Sequence, residues 1–188
     1  MTILITAASK YGATEEIATA IGRVLSERGL EIDTSCLADV RDLAEYDAVV
    51  LGSAVYAGQW LEPARRFVDE HHDELADRPT WLFSSGPIGD PPRPSDEKAV
   101  QIEPIAAATG ARDHRVFAGK LDRSLLSFPE RALVFAFRAA EGDFRDWDTI
   151  AAWAHEIADA LGATTSGGGA SDRERSPRQP SSSPPASA

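Results

Sequence analysis

Residues 3–14 read ILITAASKYGAT, and this stretch decides the fold of the chain. Its first three residues are apolar and predict a buried strand, and small residues then lead into a helix that we predict from Thr14 to Arg28. That helix carries one apolar face, made by Ile17, Ile21, Val24 and Leu25. A buried strand that passes directly into an amphipathic helix is the repeating unit of α/β proteins.

The same unit recurs along the chain. Apolar or alternating patterns predict further strands at residues 30–34, 48–51, 81–83 and 115–119, and helices at 62–76, 96–109 and 147–161. Pro104 is expected to break or kink the helix at 96–109. Five alternating strands predict an α/β fold with a doubly wound, five-stranded parallel sheet and helices on both faces. Ligands of such sheets bind beyond the carboxyl ends of the strands.

The chain divides into one domain and a tail. Residues 1–162 hold all the predicted elements, with an extra segment at about 120–145, and Gly162 ends the last helix. Residues 163–188 are rich in Ser, Pro and Gly and contain no aromatic or branched aliphatic residue. Such a tail cannot bury enough apolar surface to fold, so we expect it to be disordered.

Composition excludes several classes of protein. The 30 acidic residues against 19 basic ones give a net charge of −11, which is unlike the basic surface that nucleic acids require. The single cysteine, Cys36, which we expect to be buried, excludes an internal disulfide and a Cys-rich metal site. No apolar run approaches the ~20 residues of a transmembrane helix, and the start lacks a signal core. We therefore expect a cytoplasmic protein.

The segment after the first strand suits an anion. Backbone N–H groups at a helix N-terminus and the helix dipole both attract phosphate. Gly12 permits a tight turn, and the hydroxyls of Ser9 and Thr14 can donate to phosphate oxygens. The sequence is neither a nucleotide P-loop nor a GxGxxG fingerprint. The alternative is that Thr14 only caps the helix and Gly12 only turns the chain.

Two further segments at the same edge suit a flat ring. Residues 52–60, after the third strand, place Tyr56 and Trp60 among small residues. Residues 84–92, after the fourth strand, form a second loop of small residues in which glycines can adopt positive φ. The alternative is that the two aromatic rings pack only against their own loop.

These three loops together resemble the flavodoxin family, which binds FMN. The first loop matches the family's phosphate loop at Ser9, Gly12 and Thr14, whereas Tyr11 replaces a usual hydroxyl and Lys10 adds a charge. The resemblance covers about residues 1–162. It implies FMN contacts from Ser9, Lys10, Tyr11, Gly12, Ala13, Thr14, Ser53, Ala54, Val55, Tyr56, Ala57, Gly58, Trp60, Ser84, Ser85, Gly86, Pro87, Ile88 and Gly89.

Residues 49–58, 117–121 and 146–150 are similar to the menaquinone-dependent protoporphyrinogen dehydrogenase group of that superfamily. This resemblance implies an FMN-dependent enzyme of haem biosynthesis that oxidises a porphyrinogen and reduces a quinone. The extra segment is the group's distinguishing feature, in contact with an apolar substrate or the inner face of the membrane. The alternative for its aromatic stretch, residues 128–137, is that it belongs to the core or to a subunit interface. Its apolar residues are Leu125, Leu126, Phe128, Leu133, Val134, Phe135 and Phe137.

Two other functions stay open. The acidic composition also suits an electron carrier that docks on a redox partner protein. Lys10 and Tyr11 leave open a flavodoxin-like shell without FMN. A phosphorylated receiver domain is excluded, because Ala7-Ala8 and Gly52-Ser53 stand where it needs acidic residues. We predict no metal site, since His71 and His72 are adjacent on an acidic helix face, and no catalytic side chain, since the flavin carries the chemistry.

Overall fold

A computed structural model of the chain describes residues 1–86, 100–128, 131 and 141–162. Three parts of the chain lie outside the described residues: residues 129–130 and 132–140 of the extra segment, with Leu133, Val134, Phe135 and Phe137; residues 87–99, with Pro87, Ile88 and Gly89; and the whole tail from 163. The disorder of the tail and the domain boundary therefore stay predictions.

The central sheet has the predicted doubly wound arrangement. Its strands are β1 (Thr2–Ala8), β2 (Glu31–Thr34), β3 (Ala48–Tyr56), β4 (Gln59–Trp60), β5 (Thr80–Ser85) and β6 (Asp113–Phe117). The five long strands are parallel in the order β2-β1-β3-β5-β6, and β4 pairs antiparallel with the end of β3. The order reverses between β1 and β3, and in such sheets ligands bind at that point.

Helices cover both faces of the sheet. They are α1 (Ala13–Glu27), α2 (Glu62–Ala76), α3 (Glu103–Thr109) and α4 (Trp147–Ala160), with a 3-10 turn at Leu37–Asp39. Alternate residues of β1 point to opposite sides, so Ile3 and Ile5 join the core under α1 and α4, whereas Leu4 joins the core under α2 and α3. Each face of the sheet thus has a dry layer of its own.

The strands at the centre are longer than the sequence predicts. β3 continues from Leu51 to Tyr56, and β5 continues from Phe83 to Ser85. Small polar residues in these extensions are typical of loops, but Ser53 pairs with Ser84 and Ala54 with Ser85 in the parallel ladder. Residues 52–56 and 84–85, which we predicted as loops, are therefore strands.

The start of α3 and the bounds of β6 also differ from the prediction. The described part of the predicted helix at 96–109 is helical only from Glu103, and Pro104 lies in its first turn. Proline is tolerated there because the first turn needs no N–H donor, so Pro104 neither breaks nor kinks the helix. The last strand of the central sheet, β6, lies at Asp113–Phe117, two residues earlier than predicted.

A close approach between β3 and β5 requires glycine at residue 52. A Cβ atom built on Gly52 would lie only 2.1–2.5 Å from three atoms of the Phe83 ring. Phe83 is fully buried and packs its ring against Phe117 and Trp153, with centroids 6.2 and 6.3 Å away. The ring therefore occupies the space that a side chain at residue 52 would need.

Candidate functional site

The three candidate segments meet at the carboxyl edge of the sheet. The end of β1 pairs with the middle of β3 through Ala8 and Ser53, and β3 pairs with the end of β5 through Ala54 and Ser85. At the third segment, a Cβ built on Gly86 would lie 3.6 Å from the carbonyl oxygen of Val55. The topology therefore brings together the described parts of all three predicted loops.

The first segment forms a turn that leads into α1. Gly12 adopts φ +84°, a left-handed conformation that favours glycine, and no side chain caps the helix at this residue. The backbone N–H of Thr14 donates to Ser9 Oγ over 3.3 Å. Thr14 itself is buried, so its side chain supports the turn from inside. The residues from which the phosphate site was predicted therefore meet at one turn, with the Ser9 hydroxyl next to the start of α1.

The second segment is a β-hairpin rather than an open loop. Ala57 and Gly58, between β3 and β4, adopt φ of 50° and 78°, as the two central residues of a type I′ turn do. Ala57 is the one non-glycine residue at positive φ among those that the structure describes. Tyr56, which precedes the turn, is 43% exposed. The hairpin thus presents one aromatic ring at the edge of the sheet.

Lys10 joins the first two segments. Its ammonium nitrogen lies 5.4 Å from the ring centroid of Tyr11 and 5.8 Å from that of Tyr56. Both distances are within the range of a cation–π contact. Lys10 and Tyr11, the two residues at which the first loop departs from the flavodoxin pattern, therefore take part in one surface cluster with Tyr56.

Trp60 occupies a different environment. Only 2% of its surface is exposed, and its indole N–H donates to Ser84 Oγ over 2.7 Å. Ser84 Oγ also lies 2.9 Å from His114 Nε2. This interior position does not suit a ring that stacks on a ligand. Trp60 instead links the β3–β4 hairpin to β5 through its bond to Ser84.

Ser53 is likewise directed inward. Its side chain is fully buried, donates to the Ala54 carbonyl over 2.9 Å and accepts from the Leu61 backbone N–H over 3.0 Å. The hydroxyl therefore connects β3 to the start of α2. Ser53, Trp60 and Ser84 shape the site from behind, whereas the surface cluster supplies its exposed groups.

The third segment is described only in part. Ser84 and Ser85 end β5, and Gly86 follows with φ +100° while its N–H donates to the Phe117 carbonyl over 3.0 Å. The predicted contacts of Pro87, Ile88 and Gly89 lie outside the described residues.

Arg145 was not predicted from the sequence, and it lies at the start of α1. Its Nη1 is 2.7 Å from Glu16 Oε2 and donates to the Ala13 carbonyl over 3.2 Å. Its Nε and Nη2 donate to Asp143 over 2.8 and 2.6 Å, and the side chain is 3% exposed. The bond from Arg145 holds the pKa of Asp143 below its usual value, although partial burial opposes it. No motif identified the contact of Arg145 with α1, because Ala13 and Glu16 are far from Arg145 in sequence.

Two short paired strands, one at each end of the extra segment, position Arg145 beside α1. Strands β7 (Lys120–Leu121) and β8 (Gly142–Asp143) pair antiparallel, and the Phe144 N–H donates to the Gly119 carbonyl. The extra segment therefore leaves and rejoins the domain beside the start of α1. Within its described part, Leu125 is 52% and Phe128 86% exposed, whereas Leu126 is buried.

Two residues outside the site, His71 and Cys36, depart from the expectations drawn from the sequence. His71 is only 11% exposed in its side chain, with Nδ1 3.0 Å from Glu74 and its ring 4.6 Å from that of Phe67, so it is not a solvated residue. His72 is exposed as predicted. Cys36 is exposed, so its expected burial is wrong. Within residues 1–86, 100–128, 131 and 141–162, no three His, Cys, Asp or Glu side chains gather as metal ligands would.

The helices of the described residues include none with the length and apolar character that crossing a membrane demands.

Comparisons with known proteins agree with this architecture. The family model described as "Flavodoxin domain" matches residues 4–148. The chain is similar to the protoporphyrinogen IX dehydrogenase (quinone) of Escherichia coli strain K12, with 27% identity over 178 residues that cover 84% of this chain and 95% of the relative. Two solved structures also resemble it. A flavodoxin from the domain Archaea has TM-score 0.59 and 18% identity over 86% of this chain and 99% of that one. Oxidised Flavodoxin 1 from Bacillus cereus has TM-score 0.57 and 20% identity over 85% and 98%.

Proposed function

The chain belongs to the flavodoxin domain family, and on this premise we propose that it is an FMN-dependent oxidoreductase that oxidises a porphyrinogen and reduces a quinone. The family implies a flavin cofactor. One observation carries the choice of FMN: the turn at residues 9–14, which leads into the N-terminus of α1, lies beside the exposed ring of Tyr56 at one edge of the sheet. A phosphate and a flat ring are the two parts of FMN that such neighbours suit.

The residues of the first loop fit a phosphate group. No described atom other than those of residues 11–13 lies within 4 Å of the Cβ position built on Gly12, so the backbone there is open to a close approach. Ser9 Oγ accepts from the Thr14 N–H, which leaves the proton of the Ser9 hydroxyl free to donate to an anion. Lys10 adds a positive charge at the same turn. In this proposal the backbone of Gly12 and Ala13, with Ser9 and Lys10, holds the phosphate.

Tyr56 is the residue that we assign to cover the ring. It is exposed next to the turn at Ala57 and Gly58, whereas the interior bonds of Trp60 and Ser53 hold that turn in place. FMN supplies the transfer of hydrogen or electrons between donor and acceptor. The protein's contribution is to bind and orient the flavin and to limit the access of water.

Two observations support the porphyrinogen and quinone as substrates. The enzyme of Escherichia coli is named for both, and this chain matches 95% of its length. In addition, the described part of the extra segment exposes Leu125 and Phe128. Exposed apolar side chains of this kind suit a large apolar substrate or a peripheral contact with a membrane.

An absorbance spectrum of the purified protein, with release and identification of the chromophore, tests the cofactor. We expect FMN in a one-to-one ratio, or its uptake when FMN is added to the colourless protein. A protein that neither carries nor takes up FMN would be the shell without a cofactor, and the redox function would be rejected.

The second candidate is a flavodoxin-type electron carrier, which the net charge of −11 favours. Turnover separates the two functions. The FMN-loaded protein is mixed with protoporphyrinogen and menadione under anaerobic conditions, and porphyrin fluorescence is followed with and without the quinone. Quinone-dependent oxidation above the rate of free FMN supports the enzyme, and a rate equal to that of free FMN supports the carrier.

A further inference from the structure

Arg145 connects the extra segment to the first turn of α1. Its guanidinium contacts Glu16 and the Ala13 carbonyl on the helix, and Asp143 on β8. Its carbon Cζ lies 4.4 Å from the ring centroid of Trp147, at the start of α4. A buried guanidinium with two carboxylate partners and an aromatic neighbour has a fixed orientation. Arg145 therefore fixes the first turn of α1 relative to β8 and α4.

The ion pair between Arg145 and Glu16 affects how well the N-terminus of α1 can bind an anion, because Glu16 is itself negatively charged. Glu16 lies in the first turn of α1, where its carboxylate competes with any other anion for the positive end of the helix dipole. Its side chain is half exposed, and Arg145 holds it at 2.7 Å. Without Arg145, an uncompensated negative charge would remain within one helical turn of Gly12 and Ala13.

We infer that Arg145 is a positioning residue for the phosphate of the flavin: it offsets part of the negative charge of Glu16 and fixes the Ala13 carbonyl, so that the N-terminus of α1 stays available to an anion. This inference rests on the proposed function. Asp143 pairs with Lys120 in the β7–β8 ladder, so the same contact couples the base of the extra segment to the phosphate loop.

The pair of ligands FMN and riboflavin tests this role, because they differ only in the phosphate. The protein is stripped of flavin, and each ligand is titrated by the quenching of flavin fluorescence. Arg145→Met keeps a long, unbranched side chain but removes the positive charge. We expect it to weaken FMN binding about tenfold and to leave riboflavin binding unchanged, since the lost interactions act on a charge at a helix terminus.

Arg115→Met is the matched control. Arg115 also pairs with two carboxylates, Asp113 at 2.9 Å and Glu156 at 3.1 Å, but it lies on β6 and its side chain is 46% exposed. Its replacement is expected to change neither ligand's affinity.

Glu16→Gln tests the same inference without disturbing a buried residue. It removes the negative charge and leaves the guanidinium near the helix terminus with one carboxylate fewer. FMN is expected to bind a few times more tightly, roughly two- to fivefold, with no change for riboflavin. This variant keeps the inference testable even if Arg145→Met does not fold.

The outcomes are separable. Equal weakening of FMN and riboflavin by Arg145→Met, or an FMN affinity that Glu16→Gln leaves unchanged, overturns the inference while the proposed function stands. If the unaltered protein binds neither ligand, the proposed function fails and the inference fails with it.

Discussion

Among the described glycines, Gly52 is the one at which the packing leaves the least room for a side chain. Replacement by alanine would place Cβ 2.1 Å from Phe83 Cζ, between two buried strands that cannot easily separate. We expect Gly52→Ala to lower the free energy of unfolding by roughly 1–3 kcal/mol. Urea unfolding, followed by tryptophan fluorescence, measures the change.

The cause is tested by the double variant Gly52→Ala/Phe83→Leu. Leucine is smaller than phenylalanine and gives the new methyl group room, so the loss in the double variant should be smaller than the sum of the two single losses. Additive losses would contradict the predicted clash.

Tyr46 is expected to titrate unusually high. Its hydroxyl donates to Asp33 Oδ2 over 2.5 Å, and this bond, then burial and the negative charge of Asp33, raise the pKa of Tyr46 to about 12. The folded state thus holds the proton more tightly than the unfolded chain, whose tyrosine pKa is about 10. The resulting stability is complete below pH 10 and is lost as the pH rises toward 12.

Asp33→Asn removes the charge and should lower the pKa of Tyr46 from about 12 toward the value of a free tyrosine, about 10. Phenolate absorbance against pH measures it, and Tyr46→Phe identifies which transition belongs to this residue. An unchanged high transition in Asp33→Asn would show that Asp33 is not its cause.

At the scale of elements, α4 begins at the N-cap residue Asp146. Asp146 accepts from the Thr149 N–H over 3.1 Å and from its hydroxyl over 2.8 Å. Asp148 lies in the same first turn, but it is not the capping residue. We expect Asp146→Ala to lower Tm by roughly 2–4 °C, the typical effect of a lost N-cap in a chain of this size.

Asp148→Ala is the control for that prediction. It removes an equal charge from the helix dipole and leaves the cap intact, so its effect on Tm should be clearly smaller. Thermal scans of both variants at one salt concentration make the comparison. Equal shifts would mean that charge alone, and no capping bond, stabilises this end of α4.

The elements also show what the sequence can predict. Periodicity located α1, α2 and α4 to within one residue, because each has one apolar face that its own side chains reveal. The ends of β3 and β5 were not predictable in this way. Ser53 and Ser84 are polar residues of loop type, and they become buried strand residues only because the neighbouring strand pairs with them.

Some residues of the candidate site could likewise be predicted from local sequence, and others could not. The phosphate loop could be predicted from the sequence, since Ser9, Gly12 and Thr14 are local to one turn. The inward direction of Trp60 and the position of Arg145 depend on partners 24 and 132 residues away in the chain, Ser84 and Ala13. No local pattern encodes such contacts, so the structure was needed to separate exposed site residues from those that support them.

At the scale of the whole molecule, the net charge of −11 should influence the redox potential of bound FMN. Reduction to an anionic flavin adds negative charge inside an acidic protein, so the surface charges disfavour it and lower the potential. Salt weakens this field, because the Debye length falls from about 30 Å at 0.01 M to about 3 Å at 1 M. The potential should therefore rise with ionic strength, by an amount on the order of tens of millivolts.

Potentiometry of the FMN-loaded protein across this range of salt measures the effect, with free FMN as the reference. The matched variant replaces Asp69, Glu70 and Asp73, three exposed acids of α2, by their amides. It should start from a higher potential at low salt and respond less to added salt, because fewer charges remain to be screened. A potential that is independent of salt, or a variant with an unchanged response, would show that groups in direct contact with the flavin set the potential and that the overall charge does not.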